Sequence, residues 1–305
     1  MRFFAAVDRL RRVGLTLCAL VLAGGVHADV VVTDDTGAKL RLKEPARRIV
    51  SLAPHVTETL FAAGAGDRLV GAVEYSDFPA AAKALPRVGG YAKLDVEAIA
   101  AQKPDLAIGW ASGNPSAYID KLRALGIPVF LVEPERIEDV AVALERYGEL
   151  AGTQPVARPA AEAFRARVRE LRQRYGTRPT VRTFYQLWKQ PLMTVGGGQV
   201  ISHVIELCGG ANVFAGLKPL APTVTVEAVI AANPEVIVAS GMDEARPDWL
   251  DDWRRWKTIT AVRRDNLNFI PPDIIQRHTP RLVEGAARLC EQLETARVKR
   301  PSLLQ

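Results

Sequence analysis

Short apolar runs alternate with amphipathic segments along most of the chain, and each pattern predicts a different element. The apolar runs, bounded by turn or charged residues, predict buried strands at residues 48–52, 106–109, 128–132, 181–187, 236–239 and 268–270. The amphipathic segments predict helices at residues 56–63, 137–150, 200–208 and 280–293. Ahead of them, Val30–Thr33 and Lys39–Leu42 flank a polar turn and predict a small hairpin. This alternation is typical of mostly parallel sheets covered by helices.

A segment of fourteen residues recurs 130 positions further along the chain. Residues 96–109 read VEAIAAQKPDLAIG, residues 226–239 read VEAVIAANPEVIVA, and five of the fourteen pairs are identical. Each copy predicts a short helix, a stop at Pro and a buried strand. Glu97 and Glu227 fall in the first helical turn, where the helix dipole favours an acid. The repeat predicts two similar α/β lobes.

Between the two halves, residues 155–176 predict one long helix. Phe164, Val168, Leu171 and Tyr175 follow each other at steps of four, three and four, so they share one face. We therefore expect a stiff helix that joins the lobes and permits little hinge opening, with a ligand cleft at the carboxyl ends of the strands. The expected boundaries are 29–154 for the N-terminal lobe, 155–177 for the connecting helix and 178–305 for the C-terminal lobe.

The first residues have the composition of a secretory signal. Four Arg precede an apolar run at residues 15–26 that is too short to span a bilayer, and small residues lead up to Ala28. We expect residues 1–28 to be a cleaved signal peptide and the mature protein to be soluble and periplasmic. The alternative is a lipoprotein cut before Cys18, which Leu17 disfavours because it is too large for the position before a lipidated cysteine.

Composition and charge exclude several classes of protein. Apolar residues make up 48% and charged residues 24%, as in ordinary soluble globular proteins. The net charge of +6 falls to +3 without the predicted signal peptide. This excess of positive charge is too small to indicate nucleic-acid binding. Without Cys18, only Cys208 and Cys290 remain in an oxidising compartment. An even pair there favours a disulfide, and two buried free thiols remain the alternative.

Motifs of the common catalytic sites are missing from the sequence. There is no Gly-x-Ser-x-Gly elbow and no His-Glu-x-x-His pair. The glycines at 196–198 lack the Lys-Ser/Thr of a phosphate loop and predict a tight turn. His55 follows the first strand of the predicted sheets, where a neutral imidazole could ligate a ligand metal, and a local hydrogen bond is the simpler interpretation. Trp249, Trp253 and Trp256 stand at helical steps and predict packing.

Several of these segments together resemble a known family. They are residues 48–54 (RIVSLAP) with Thr57-Glu58, residues 75–79 (YSDFP), residues 96–99 (VEAI) and residues 103–106 (KPDL). The resemblance is to periplasmic substrate-binding proteins that feed ABC importers of cobalamin, haem and ferric siderophores, and it runs from about residue 47 to residue 293. Residues 207–210 (LCGG), Pro280-Arg281 and Leu289-Cys290 are similar to the cobalamin-binding members.

This resemblance implies a fold, partners and a mode of action. It implies two Rossmann-like lobes joined by a single long helix (the helical-backbone substrate-binding fold), and a disulfide between Cys208 and Cys290. It implies that Glu97 and Glu227, one at each lobe tip, dock onto arginines of an inner-membrane permease dimer, where such charges set register and encounter rate. We expect a monomer without enzyme activity or cofactor, which carries cobalamin or a related corrinoid as its transported ligand.

A corrinoid is large, partly apolar and roughly planar, so its site needs aromatic walls with a few polar anchors. The ligand-binding residues that the resemblance implies are Tyr75, Tyr91, Trp110, Asp273, Ile274, Ile275, Gln276 and Arg277. Trp188, just past a predicted strand, is a further candidate for a ring against the ligand.

The sequence departs from the family at several of these positions. Tyr91 and Ala221 stand where the family has Trp, and Ile274 and Ile275 stand where it has aromatic residues. These departures leave haem or a ferric siderophore as the alternative ligand. A two-lobed chelatase-like enzyme is a remote alternative, which would need His55 and Glu58 to face one cleft.

Overall fold

The computed structural model describes residues 29–241 and 245–301. Its strands are β1 (Val30–Thr33), β2 (Lys39–Leu42), β3 (Ile49–Ser51), β4 (Leu69–Ala72), β5 (Gly89–Gly90), β6 (Lys93–Leu94), β7 (Leu106–Trp110), β8 (Val129–Val132), β9 (Val181–Gln186), β10 (Gly210–Asn212), β11 (Val236–Ala239) and β12 (Leu267–Phe269). The predicted signal peptide, residues 1–28, lies outside the described residues.

The helices alternate with these strands as the apolar pattern predicts. They are α1 (Pro54–Ala62), α2 (Val96–Ala101), α3 (Ser116–Ala124), α4 (Asp139–Ala151), α5 (Gln154–Tyr175), α6 (Val200–Leu207), α7 (Val226–Ala232), α8 (Thr260–Arg263), α9 (Pro272–Ile275) and α10 (Leu282–Val298). The pattern did not predict β4, β5, β6, β10, α3, α8 or α9. None of the helices in the described ranges is long and apolar enough to pass through a membrane.

Two four-stranded parallel sheets form the framework. Their strand orders are β4-β3-β7-β8 and β10-β9-β11-β12. In each sheet the second strand along the chain lies at one edge, followed by the first, the third and the fourth, so the two orders are the same. The recurring segment occupies α2 and β7 in the first half, and α7 and β11 in the second. We refer to the parts built on these sheets as the N-terminal and C-terminal lobes. The predicted α/β fold with two lobes is confirmed.

Both faces of each sheet are buried, as expected for parallel sheets covered by helices. Consecutive side chains point to opposite faces of a strand. Ile49 therefore belongs to a central apolar cluster, and Val50 belongs to a separate cluster on the outer face of the N-terminal sheet. Tyr185 and Phe184 divide in the same way between the central cluster and the outer cluster of the C-terminal sheet.

The long helix α5 connects the lobes and lies in the central cluster. Its buried side chains are Ala157, Ala161, Phe164, Val168, Leu171 and Tyr175, which confirms the predicted face and extends it by two alanines. The central cluster also includes side chains of α1 and α4 from the N-terminal lobe and of α6 and α10 from the C-terminal lobe. Because both lobes share one continuous core, opening the cleft would expose apolar surface, which is unfavourable.

A disulfide between Cys208 and Cys290 confirms the predicted bridge. It joins the end of α6 to the middle of α10, both inside the C-terminal lobe. The two cysteines are separated by 82 positions. Closing a loop of that length stabilises the fold by ~4 kcal/mol on the chain-entropy model.

Candidate functional site

A cleft lies between the lobes at the carboxyl ends of their parallel strands, where open α/β sheets place their ligands. It has a volume of about 420 Å³. His55 enters it just after β3, Trp110 at the end of β7, and Glu133 just after β8. Leu187 enters from the opposite side, just after β9. The cleft therefore lies where the pattern of strands predicts it.

Aromatic side chains cover the N-terminal wall of the cleft. Tyr75, Tyr91 and Trp110 all line it, and the ring centroids of Tyr91 and Trp110 lie 6.0 Å apart. Trp110 is half-buried, and its Nε1 donates a hydrogen bond to Glu133 Oε1 at 3.2 Å. Tyr75 is 68% exposed and has a left-handed backbone with φ of 64°. Such a conformation is unfavourable for a non-glycine residue and is typical of functional loops.

Two histidines, one from each lobe, line the floor of the cleft. The ring centroids of His55 and His278 lie 6.0 Å apart, and those of His55 and Trp110 lie 5.4 Å apart with the two rings nearly perpendicular. Burial, with nearby His278 and Arg277, lowers the pKa of His55 from its ordinary 6.5 to about 3. Burial likewise lowers the pKa of His278 to about 4. Both imidazoles are therefore neutral at neutral pH, the form that can ligate a metal.

Arg277 is the only positively charged residue among the predicted ligand-binding residues. It lines the cleft beside Gln276. It donates a hydrogen bond to Asp77 Oδ1 of the other lobe at 2.9 Å, and Asp273 Oδ1 lies 3.0 Å from its second terminal nitrogen. Partial burial of Asp77 opposes ionisation, but the hydrogen bond from Arg277 prevails and lowers the pKa of that carboxyl. Arg277 thus ties the two lobes together at the cleft.

A second ion pair crosses between the lobes and was not predicted. Arg281 donates two hydrogen bonds to Glu58, at 2.8 and 2.7 Å, and its guanidinium lies 3.7 Å from the ring centroid of Phe78. Glu58 is buried and does not line the cleft. The chelatase-like alternative required the carboxylate of Glu58 to face the cleft beside His55. Both oxygens of that carboxylate instead accept hydrogen bonds from Arg281.

The remaining predicted ligand residues do not line the cleft. Ile274 and Ile275 are 7% and 0% exposed and belong to the central core. The reason is the close packing of α10 on α9, since a Cβ at Gly285 would lie only 2.1 Å from Ile274 O. Asp273 pairs with Arg277 and does not itself line the cleft. Trp188 is absent from the cleft lining and donates its Nε1–H to Gln190 O at 3.0 Å. Because Trp188, Asp273, Ile274 and Ile275 do not line the cavity, the structure gives no support for ligand contact at these four positions.

Sequence reasoning also missed residues that do line the cleft. Glu133 and Glu135 follow β8 directly, so the rule that strand ends meet at the site would have found them. On the C-terminal side the wall is aliphatic, with Leu187, Val195, Val200, Leu220 and Ala221. The glycine turn at 196–198 precedes α6 as predicted, and Gly198 lines the cleft.

Glu97 and Glu227 occupy equivalent places in the two lobes. Both are exposed in the first turn of a helix, α2 and α7, whose N-cap side chains Asp95 and Thr225 accept hydrogen bonds from the backbone. Neither carboxylate makes a hydrogen bond or ion pair with other residues at 29–241 or 245–301. Each is therefore free to meet an external cation.

Comparisons with known proteins agree with this geometry. A family model described as periplasmic binding protein matches residues 49–274. The vitamin B12-binding protein of Vibrio parahaemolyticus is 37% identical over 260 residues, 84% of this chain and 93% of that protein. The vitamin B12-binding protein of Yersinia pestis is 39% identical over 254 residues, 82% of this chain and 87% of that protein.

Solved structures show the same fold. The crystal structure of the periplasmic vitamin B12 binding protein BtuF of Vibrio cholerae matches with a TM-score of 0.77 and 36% identity, over 83% of this chain and 98% of that chain. The periplasmic heme-binding protein RhuT from Roseiflexus matches with a TM-score of 0.70 and 22% identity, over 82% of this chain and 99% of that chain, a likeness of fold alone. With its two-lobed fold, its cleft and these relatives, the chain belongs to the periplasmic binding protein family.

Proposed function

We propose that this protein is the substrate-binding component of an ABC importer and that it captures cobalamin or a related corrinoid between its lobes. The observation that carries the proposal is the aromatic wall of Tyr75, Tyr91 and Trp110 at the strand ends. A planar, partly apolar ring fits against such a wall. The relatives named vitamin B12-binding protein, similar over most of their length, support the same ligand.

The polar side chains of the cleft bind and orient the ligand in this proposal. Arg277 and Gln276 are hydrogen-bond donors opposite the aromatic wall and can hold the carbonyl oxygens of the ligand. Asp77 and Asp273 position the guanidinium of Arg277 from two sides. The ligand thus meets a cation whose orientation is already set, which reduces the entropy lost on binding.

The placement of two carboxylates supports handover of the ligand to the importer. Glu97 and Glu227 are exposed on separate lobes that share one core. Two charges held at a constant separation can meet two basic patches of a permease dimer at once, which sets the register of docking. The protein acts as a monomer and is no enzyme in this proposal.

The proposal also includes the route to the periplasm. Residues 1–28 act as a cleaved signal peptide, residues 29–154 and 178–305 form the two lobes, and residues 155–177 connect them. Family membership supports a periplasmic location. N-terminal sequencing of the protein purified from periplasm tests the cut after Ala28.

Calorimetric titration of residues 29–305 tests the ligand. We expect cyanocobalamin and cobinamide to bind at a stoichiometry of one and more tightly than hemin or a ferric siderophore. Tight binding of hemin with no binding of either corrinoid would overturn the proposal in favour of a haem carrier. The two cleft histidines are the observation that favours haem as the second candidate, because imidazole is a common ligand of haem iron.

A further inference from the structure

A second cavity of about 460 Å³ lies behind the floor of the cleft. It is enclosed by α1, α4 and the segment that follows β8. Five residues line both cavities: His55, Glu133, Pro134, Glu135 and His278. The two cavities are therefore neighbours that share one wall, and a ligand in the cleft contacts that wall directly.

The second cavity is strongly acidic. Four carboxylates line it, those of Asp35, Glu133, Glu135 and Asp139, against the single guanidinium of Arg146. Most of these groups have fixed positions. Arg146 pairs with Asp35, and Asp139 accepts hydrogen bonds from the backbone N–H groups of Glu135 and Arg136 at 2.9 and 2.8 Å. An anion that enters the cavity would meet net negative charge.

Two polar atoms of α1, both on residues that line this cavity, have no hydrogen-bond partner among the described residues. They are Nε2 of His55, a residue 7% exposed, and Oγ1 of Thr59, a residue 1% exposed. The two residues lie four positions apart, so they share one face of the helix. A buried polar group without a partner is unfavourable, so these atoms call for a partner that a bound molecule can supply.

We propose that the acidic wall and the second cavity receive neutral carboxamide arms of the ligand and reject carboxylate arms. This inference rests on the proposed function. A primary carboxamide has two N–H donors and a carbonyl acceptor. Its donors match the carboxylates of Glu133 and Glu135, and its two kinds of group can satisfy the neutral imidazole of His55 and the hydroxyl of Thr59. The periphery of a corrinoid carries such carboxamides, whereas haem carries propionate carboxylates.

The wall thereby discriminates between the two candidate ligands. An ionised propionate would approach several fixed negative charges in a partly enclosed site, where like charges repel more strongly than in water. A neutral carboxamide avoids this repulsion and keeps its hydrogen bonds. The N-terminal lobe thus selects by charge as well as by its aromatic surface.

The test compares dicyanocobinamide, whose arms are carboxamides, with dicyanocobyrinate, whose arms are carboxylates, by calorimetric titration of the mature chain. Glu135→Gln removes one charge from the wall without removing a hydrogen bond to the described protein. Glu149→Gln is the matched control, because Glu149 is exposed on α4 and outside both cavities. Thr59→Val tests the hydrogen bond separately.

We expect the wild type to prefer cobinamide. Glu135→Gln should reduce the preference about threefold to tenfold at low salt, and 0.5 M NaCl should reduce it in the wild type too, as charge repulsion requires. Glu149→Gln should leave it unchanged, and Thr59→Val should weaken the binding of cobinamide. Equal binding of both corrinoids, or a preference insensitive to Glu135→Gln and to salt, overturns the inference and leaves the proposed function standing. If neither corrinoid binds, the proposed function fails and the inference with it.

Discussion

The N-terminal and C-terminal lobes order their strands identically, yet they line the cleft with different chemistry. The N-terminal lobe contributes aromatic rings, an imidazole and two carboxylates, represented by Trp110, His55 and Glu133. The C-terminal lobe contributes an aliphatic wall, the guanidinium of Arg277 and the second imidazole, that of His278. Ala221, Ile274 and Ile275 are the positions where the sequence departs from the aromatic residues of the family, and both isoleucines lie in the core.

This difference teaches that the duplicated framework and the ligand chemistry are separable. Strand order, both buried faces of each sheet and the helix that bears the exposed glutamate recur in both lobes. The cleft residues come from the segments after the strands, which can change without altering the buried core. The predictions below test how far the two lobes differ in stability and in binding.

The largest expected effect concerns the disulfide, which only the C-terminal lobe has among the described residues. Replacing both Cys208 and Cys290 by Ala should lower the free energy of unfolding by ~4 kcal/mol, since the unfolded chain regains the entropy of the closed loop. Urea unfolding followed by fluorescence measures it. Because the lobes share one core, we expect a single transition, and two separate transitions would contradict that view.

The two ion pairs between the lobes should differ in strength. Glu58→Ala leaves the guanidinium of Arg281 without its buried partner and should destabilise the protein by ~3 kcal/mol. Asp77→Ala removes a partner that is 43% exposed and should cost less than ~1 kcal/mol. Urea unfolding of both variants compares them, and a larger effect of Asp77→Ala would reverse the assignment.

The two histidines should make the protein sensitive to acid. The unfolded chain takes up protons near pH 6.5, whereas in the folded protein the pKa is about 3 for His55 and about 4 for His278. The unfolded state therefore binds more protons in this range, and stability falls as the pH drops below 6.5. The loss at pH 5 should be ~2 kcal/mol for each histidine.

Urea unfolding between pH 7.5 and pH 4 measures this slope. His55→Gln and His278→Gln should each remove about half of it, and His203→Gln, outside the cleft, should not. If His55→Gln or His278→Gln keeps the full decrease of stability with falling pH, other ionisable groups cause that decrease.

The aromatic and aliphatic walls should contribute unequally to ligand binding. Trp110→Ala should weaken the binding of cyanocobalamin by ~1.5 kcal/mol, because a large half-buried ring is lost. Leu220→Ala in the opposite wall, at a side chain 52% exposed, should cost less than ~0.5 kcal/mol. Calorimetric titration compares the two. An unchanged affinity for Trp110→Ala would place its role in packing.

The smallest effect on ligand affinity is expected at the two lobe tips. Glu97→Ala and Glu227→Ala, singly and together, should change the dissociation constant by less than about twofold, because both side chains are exposed and neither lines the cleft. Each should weaken docking to the permease, and by similar amounts if the lobes are equivalent at this surface. A double variant that loses ligand affinity and keeps uptake would refute the docking role.

Much of the fold could be predicted because it depends on local patterns. The spacing of Phe164, Val168, Leu171 and Tyr175 places them on one apolar helix face, which is buried regardless of which elements pack against it. The recurrence of residues 96–109 at 226–239 predicted a second lobe. The paired cysteines predicted a bridge because only two remain after the signal peptide. The elements β4, β5, β6, β10, α3, α8 and α9 were missed, since none of them has a strong hydrophobic period.

The sequence by itself thus determined the elements, the duplication, the disulfide and the place of Trp110 at a strand end. Only the tertiary structure decided which side chains reach the cleft, because that depends on distant elements. The packing of α10 on α9 turns Ile274 into the core. The pair between Asp77 and Arg277, 200 positions apart, and the acidic cavity behind His55 exist only where separate segments meet in the folded chain.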